Sequence, residues 1–198
     1  MKNYIVKRYN KLDFNHWNTF ITQSKNGTFL FHRDFMDYHS DRFDDYSLII
    51  LDGEKWIAVL PANIINNEVH THQGLTYGGL LYYDKIKLAT IIEVFKTLLQ
   101  YLYENNIEKL FVKTIPTIYH QKPTQEMHYV LFLVNARLTR RDSLSVLDLR
   151  EVNVITKGRK EGVEKGKKSK LIVQEVIDLE PFWNKILMPN MIKRYDAN

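Results

Sequence analysis

The stretch from His70 to Asp84, HTHQGLTYGGLLYYD, places two histidines, three glycines and three tyrosines within fifteen residues. His70 and His72 lie two residues apart, so on a strand they share one face, which is suitable geometry for two metal ligands. A metal site needs a third ligand, and the neighbouring sequence offers no obvious one. We therefore predict no metal and interpret both side chains as exposed or hydrogen-bonded strand histidines.

The glycines of this stretch could belong to an anion-binding loop. Gly74, Gly78 and Gly79 match neither the GxGxxG nor the GxxxxGK[ST] phosphate signature. They do lie between a predicted strand and a predicted long helix, where free N–H groups and the helix dipole favour an anion. Two interpretations stay open. The glycines serve a tight bend, or Tyr77, Gly78 and Gly79 form a wall of a substrate site.

A second candidate site follows a predicted buried strand, in KTIPTIYHQKP. Ligands of α/β proteins usually bind at the carboxyl ends of strands. Tyr119 and His120 have the donors and acceptors to hold a sugar or a phosphate, and Lys113 has the charge to pair with a phosphate. A packed tyrosine and a solvated histidine fit the sequence equally well.

The net charge of +5 is concentrated in one segment. Between Arg150 and Lys170 the chain has eight Lys or Arg and three Asp or Glu, which leaves 20 of each sign elsewhere. We predict phosphate or RNA contact through Arg159, Lys160 and Lys167, which would weaken with salt. A solvated charge run is the other interpretation. Gly158, Gly162 and Gly166 would form one stripe on a weak helix.

The elements that must position these residues follow from hydrophobic periodicity and turn signals. A first strand, a helix with Asp13 as a plausible N-cap and a second short helix precede a three-strand antiparallel meander with a turn at Asp52-Gly53. A long helix runs from Asp84, as N-cap, to about Asn105. A strand, a helix opened by Pro123 and a strand at 143–149 then follow. The order predicts an α/β fold.

Residues 171–187 repeat the pattern of the first strand and helix, since YIVKRYNKLDFNHWNTFI and LIVQEVIDLEPFWNKIL share a strand, an Asp and a Trp-Asn pair. We predict three parts. Residues 1–149 form a first domain, 150–170 a basic linker, and 171–198 a strand and helix that open an incomplete second copy. Such a pair cannot bury its apolar faces alone.

Several blocks of the sequence resemble FemAB-like acyltransferases, which have paired GNAT-like domains, and the bacterial subgroup associated with cell-surface polysaccharide assembly in particular. The blocks are NGTFLFHRDFMDYHSDRFDDYSLIIL, IAVLPANI, HTHQGLTYGGLLY, TIPTIYHQKPTQEMHYVLF and RRDSLSVLDL, followed by the basic run. The resemblance covers the first domain and the start of the second. It implies a GNAT-like fold, with a mixed, mostly antiparallel sheet flanked by helices.

The resemblance also implies transfer of an acyl or aminoacyl group to an amine of a cell-wall or polysaccharide precursor. The donor would be acyl-CoA or aminoacyl-tRNA, and the acceptor a nucleotide- or lipid-linked sugar. The loop QGLTYGGLL lacks the arginine and spacing of a GNAT donor loop, so we assign this chain mainly to the acceptor side. A GNAT reaction needs a base and often a tyrosine acid. Glu126 and Tyr129, three apart on one helix, are the candidates.

A different class of protein also fits, a catalytically silent binding or assembly module. Phe182, Trp183, Ile186 and Leu187 would then be an exposed adhesive face, and residues 171–198 a route to a homo-oligomer. An RNA-binding protein is a third hypothesis, with tRNA as a possible partner. The chain has no cysteine, no apolar leader and no run long enough to span a membrane. We therefore expect a cytoplasmic protein.

Overall fold

The computed structural model of the chain describes residues 3–150 and 154–196, without the side chain of residue 39. Its internal contacts divide the chain into two units, Met1–Thr139 and Arg140–Asn198. Among the described residues, every buried hydrophobic side chain belongs to the first unit. The three-part domain division stays a prediction.

Two four-stranded sheets form the centre of the first unit. Their orders are β1-β3-β4-β7 and β2-β5-β6-β8. All neighbouring strands are antiparallel except β6 and β8, which are parallel. The strands are β1 (Tyr4–Arg8), β2 (Asp44–Asp45), β3 (Leu48–Asp52), β4 (Lys55–Leu60), β5 (Asn63–Ile65), β6 (Glu68–His70), β7 (Leu81–Tyr82) and β8 (Lys109–Phe111).

Four helices flank the sheets: α1 (Phe14–Gln23), α2 (Arg33–Met36), α3 (Leu88–Glu104) and α4 (Glu126–Leu133). Short 3-10 turns at Lys11–Asp13, Phe29–Phe31, Asp37–His39 and Thr117–Tyr119 connect them. The predicted fold class is confirmed, because the sheet is mixed, mostly antiparallel and flanked by helices.

The predicted meander is present, but its strands are interrupted. β4 and β5 are one extended stretch divided at Pro61, whose missing N–H cannot continue a ladder. Opposite them, Ser47 separates β2 from β3, and its hydroxyl accepts a hydrogen bond from the Ala62 N–H at 3.2 Å. The strand pair therefore passes from one sheet into the other.

Alternation along β3 and β4 gives the sheet two buried faces. Leu48 and Ile50 pack toward α3 and α4, whereas Ile49 packs toward α1 and α2. On the α1 side the Trp17 indole N–H donates to the Phe31 carbonyl at 2.8 Å, which satisfies its buried donor. Both helical layers thus bury an apolar face against one sheet.

The predicted N-cap of α3 is wrong. The helix begins at Leu88, and the capping position is Lys87. Asp84 lies in the preceding turn, where its carboxylate forms an ion pair with Lys122 instead. Asp84 is three residues before the capping position, too early in the chain to be the N-cap of a helix that begins at Leu88.

In the second unit, two predicted strands are wrong, whereas helices form in both the basic run and the stretch DLEPFWNKIL. Residues 143–149 and 170–176 have no strand conformation. A strand requires a hydrogen-bonded neighbour, and no described residue pairs with either segment. Helix α5 (Lys157–Lys168) confirms that the basic run is helical. Residues 151–153, part of the predicted linker, lie outside the described residues.

The last helical stretch contains α6 (Glu180–Phe182), a π-helical turn at Trp183–Leu187, and α7 (Met188–Tyr195). Pro189 explains the π turn, because it lacks the N–H that would bond to the carbonyl four residues earlier. The predicted helix over DLEPFWNKIL is confirmed.

Candidate active site

A narrow crevice lies between the segment that leads into β7 and the segment that follows β8. Its volume is about 20 Å³, enough for one water molecule. Residues from both predicted site segments contribute to it. The lining residues are Asn26, Gly78, Gly79, Leu80, Val112, Thr114, Ile115, His120, Thr124, Met127 and His128.

Two consecutive glycines let the backbone form one wall of this crevice. The Gly78 N–H donates to the Lys113 carbonyl at 2.6 Å, and a Cβ on Gly78 would overlap the Thr71 carbonyl oxygen. Gly79 has a φ of 131°, which side chains other than glycine rarely adopt. The close packing at Gly78 and the positive φ of Gly79 are both requirements of the fold. The Gly78 N–H is already hydrogen-bonded within the protein.

An ion pair lies next to two lining residues of the crevice, Asn26 and Met127. The Lys25 ammonium, which is 6% exposed, contacts the Glu126 carboxylate at the start of α4. The second carboxylate oxygen accepts from the Tyr82 hydroxyl at 3.3 Å. Tyr82 itself is fully buried in β7. The three side chains therefore connect the loop after α1, the edge strand and α4.

This network fixes the protonation states of its members. Burial raises the pKa of Glu126, but hydrogen bonds from Lys25, the helix backbone and Tyr82 outweigh it and hold the pKa below the usual 4.5. Burial, reinforced by the neighbouring Glu126 charge, raises the pKa of Tyr82 far above 10.0. At neutral pH Glu126 is thus an anion and Tyr82 a neutral donor.

Asn26 holds the loop after α1 against β7. Its side-chain amide donates to the Leu80 carbonyl at 2.9 Å and accepts from the Tyr82 N–H at 3.2 Å. The Lys25 N–H also donates to the Tyr82 carbonyl, at 3.1 Å. These bonds pair the loop with the edge strand and bring Lys25 and Asn26 to the crevice.

One imidazole nitrogen of His120 has no hydrogen-bond partner within the described ranges. Its Nδ1 is buried and has no hydrogen-bond partner among the described residues. Burial lowers the pKa of His120, although hydrogen bonding to the Ile115 backbone opposes the shift. The imidazole is therefore neutral at pH 7, with a basic nitrogen next to the crevice.

The remaining predicted binding residues surround the crevice or lie at its edge. The Lys113 ammonium contacts the Leu75 carbonyl, so its charge is directed at the protein backbone. The Tyr77 and Tyr119 rings are stacked with their centroids 5.1 Å apart. Tyr77 is buried, while Tyr119 is 46% exposed. Together they form an aromatic surface beside His120.

The two predicted catalytic residues do not come together. Glu126 contacts Lys25 and Tyr82, whereas Tyr129 does not line the crevice and is 46% exposed, with its ring centroid 6.5 Å from that of Phe132. Their catalytic roles stay predictions. The structure brings Gly78, Gly79 and His120 into one lining, with Glu126 beside it.

Sequence reasoning missed Lys25, Asn26 and Tyr82. From the sequence, Asn26-Gly27 predicts only a helix breaker, and no role is assigned to Lys25. The signal was faint. Lys25 directly follows an amphipathic helix and precedes that breaker, so its position relative to the sheet depends on contacts with Tyr82 and with Glu126, 101 residues away.

No group of three potential metal ligands occurs within residues 3–150 and 154–196. His70 is stacked on Phe111 with centroids 4.6 Å apart, and burial lowers its pKa. In the same ranges no helix is long and apolar enough to cross a bilayer.

The residues predicted to contact RNA lie on α5, whose side chains are exposed. The Lys167 ammonium pairs with Glu164 at 2.9 Å on the same helix. In the described part of the chain, Arg159 and Lys160 form no ion pair. Among the described residues the α5 cations without an ion pair are therefore Arg159, Lys160, Lys165 and Lys168, whereas Lys157 and Lys167 are paired.

Comparisons with known proteins add one weak likeness. No protein-family model matches the chain, and no curated protein matches it. Three chains of solved structures do, among them the ribosomal-protein-S18-alanine N-acetyltransferase from Escherichia coli, with a TM-score of 0.38 and 9% sequence identity. The match covers 55% of this chain and 64% of the length of that enzyme. A likeness of this size does not extend to substrate or mechanism.

Proposed function

We propose that the first unit is the acceptor-side domain of a FemAB-like N-acyltransferase. It would help transfer an acyl or aminoacyl group to an amine of a cell-surface polysaccharide or cell-wall precursor. One observation carries the proposal. His120, a neutral histidine whose buried Nδ1 has no hydrogen-bond partner among the described residues, lines the crevice, and Glu126 is adjacent to the lining residue Met127.

The chemistry requires an acceptor for one proton. The amine nitrogen attacks the carbonyl carbon of a thioester or ester, and a C–N bond forms. The amine proton moves to His120 Nδ1, the C–S or C–O bond breaks, and the leaving thiol or hydroxyl takes up a proton. Glu126, whose pKa is lowered, is an anion that contacts Lys25, so His120 is assigned as the base.

The small volume of the crevice limits what part of an acceptor can enter. About 20 Å³ admits a group of the size of one water molecule, such as an amino group, and not a sugar ring. The body of a nucleotide- or lipid-linked sugar would rest outside, where the exposed ring of Tyr119 offers a stacking surface. The donor, acyl-CoA or aminoacyl-tRNA, is part of the same proposal.

A thermal-shift screen against UDP-amino sugars and acyl-CoAs tests this function. We expect an amino sugar to raise the Tm of the wild type, and His120→Gln to remove most of that increase. His32→Gln is the matched control, because His32 does not line the crevice. Stabilisation that is equal in both variants, or absent with every ligand, would contradict the proposal.

The predicted roles of Glu126 as base and Tyr129 as acid call for a separate comparison. Once a substrate pair is identified, His120→Gln, Glu126→Gln and Tyr129→Phe should be measured side by side. We expect the largest loss of kcat for His120→Gln. A larger loss for Tyr129→Phe would restore the original assignment.

The assembly-module hypothesis is supported by a specific observation. Phe182, Trp183 and Ile186 are each about half exposed on the last helical stretch. Light scattering distinguishes this function from the transferase. A dimer that disappears when residues 171–198 are deleted, together with no ligand effect in the thermal screen, would favour assembly.

A further inference from the structure

The second cavity of the first unit lies between α3 and α4 and belongs to neither predicted site. Its volume is about 400 Å³, within the range of small-molecule sites. Phe95 and Val130, each 2% exposed, form its floor. The lining residues are Ile92, Phe95, Lys96, Leu99, Gln100, Val130, Leu133 and Val134.

This cavity, called the trench below, is formed by residues that recur at helical spacing on α3 and on α4. On α3 the lining follows the spacing i, i+3, i+4, i+7 and i+8 from Ile92, and on α4 it follows i, i+3 and i+4 from Val130. Six of the eight lining residues are apolar, and the two polar ones, Lys96 and Gln100, both lie on α3. Leu133 and Val134 remain 44% exposed, so this part of the apolar surface is in contact with solvent.

The charge of the trench is as informative as its shape. Lys96 is the one charged residue in the lining, and none of the salt bridges among the described residues includes it. No carboxylate lines the cavity. An apolar trench with an unpaired ammonium at its edge complements a ligand that combines an apolar chain with an anionic head.

The length of the trench defines the chain it fits. Ile92 and Gln100 are eight residues apart on α3, which corresponds to about 12 Å at 1.5 Å per residue. An extended hydrocarbon chain of roughly ten carbons, with bonds of about 1.5 Å, covers this distance. Lys96 lies midway along the α3 lining, and its flexible four-carbon stem lets the ammonium reach a head group at one end of such a chain. A straight chain follows the α3 lining along the helix axis better than a branched or ring-shaped ligand does.

We propose that the trench between α3 and α4 binds one unbranched acyl chain with an anionic head group, whose charge pairs with Lys96. The inference does not depend on the proposed transferase function, because no residue of the crevice takes part in it.

Displacement of a fluorescent fatty-acid probe by laurate and by dodecanol tests this site on the full chain, below the concentrations at which either ligand aggregates. We expect both to displace the probe, and laurate to bind more tightly. Lys96→Gln should weaken laurate binding about fivefold and leave dodecanol unchanged, as expected for a partly exposed ion pair. Lys87→Gln, at the capping position of the same helix and outside the trench, should change neither.

The apolar part of the site has its own matched pair of variants. Leu133→Gln should weaken both ligands about tenfold, because it removes half-buried apolar contact. Phe132→Gln is the control, since Phe132 is 74% exposed on the same helix and does not line the trench. Unfolding curves verify that both variants fold.

Three results would overturn the proposal. The first is no displacement by either ligand, and the second is an equal effect of Leu133→Gln and Phe132→Gln. The third is light scattering that shows a dimer which Leu133→Gln dissociates, because a second copy of the chain would then occupy the trench. Failure here leaves the His120 experiment unaffected, so the two proposals are tested separately.

Discussion

At the level of single residues, the ion pair between Lys25 and Glu126 has a large desolvation cost and connects two particular segments of the chain. A buried ammonium is stable only while its partner is charged, since the desolvation of one ion must be offset by the other. The pair also connects segments 101 residues apart in sequence. Its loss should therefore affect both stability and the position of α4 beside the crevice.

Glu126→Gln should destabilise the protein by about 2 kcal/mol at pH 7, because it leaves Lys25 buried without a counter-charge. The folded state lowers the pKa of Glu126, so its contribution is present above the usual value of 4.5 and is lost as pH falls through the lowered pKa. Urea unfolding at pH 7 and in acid measures the difference between variant and wild type, which should narrow in acid.

The exposed Glu93→Gln is the control for this measurement and should have little effect at either pH. Lys25→Met combined with Glu126→Gln should recover more than half of the lost stability, because no buried charge remains. A double variant that is less stable than Glu126→Gln alone would show that the ammonium has another essential partner.

Gly78 and Gly53 offer a second comparison between residues of one type. Gly78→Ala should cost about 3 kcal/mol or more, because its Cβ would overlap the Thr71 carbonyl and force the wall of the crevice apart. Gly53→Ala should cost about 1 kcal/mol, since its φ of 61° is strained but nothing lies near its Cβ. Denaturant unfolding of both variants measures the two losses of stability. Equal losses would contradict the close approach at Gly78.

At the scale of elements, periodicity predicted what local sequence determines. The stripe of α3, the Asp-Gly turn and the first strand follow from residues that are neighbours in sequence. The candidate segments around Gly78 and His120 were also identified, because turn glycines and a strand end are local features. Helix α5 was predicted as conditionally helical and weak, and its conformation is indeed helical.

What the sequence could not supply depends on distant contacts. The division into two sheets follows from the interaction of Ser47 with Ala62, fifteen residues apart. The interior position of Lys25 depends on Glu126. Residues 143–149 and 170–176 have strand-like patterns, yet a pattern cannot show whether a hydrogen-bonding neighbour is available.

Helix α5 should become more stable when its glycines are replaced. Gly158, Gly162 and Gly166 lower helix stability by about 1 kcal/mol each relative to alanine. Nothing lies within 4 Å of a Cβ at the first two, and the third would only touch Leu171. The triple alanine variant should show a stronger helical circular dichroism signal and slower amide exchange in α5. Unchanged exchange would mean that α5 does not behave as an isolated helix.

The same helix should bind a polyanion through its unpaired cations. Arg159→Gln with Lys160→Gln should weaken binding to a labelled RNA, and the logarithm of affinity should depend less steeply on that of salt concentration. Lys157→Gln with Lys167→Gln removes the same charge from residues that pair with Glu161 and Glu164, so it should have the smaller effect. Filter binding without salt dependence would exclude tRNA as a partner of this segment.

At the scale of the whole molecule, the apolar side chains are distributed unevenly. All buried hydrophobic residues that the structure describes lie between Tyr4 and Val130. Within residues 140–150 and 154–196 the apolar side chains are exposed or only partly covered, including Leu144, Ile172 and Trp183. Because burial of apolar surface provides most of the free energy of folding, the first unit holds nearly all of the stability.

Residues 1–139 should therefore fold alone, with a free energy of unfolding within about 0.5 kcal/mol of the full chain. Residues 140–198 alone should show helical signal without a cooperative transition, because no core is lost on heating. Urea unfolding of both fragments, followed by circular dichroism, makes the comparison. If residues 1–139 alone are less stable than the full chain by several kcal/mol, the exposed apolar residues of the second unit are covered in solution. A cooperative transition in residues 140–198 alone would show that this segment forms a core of its own.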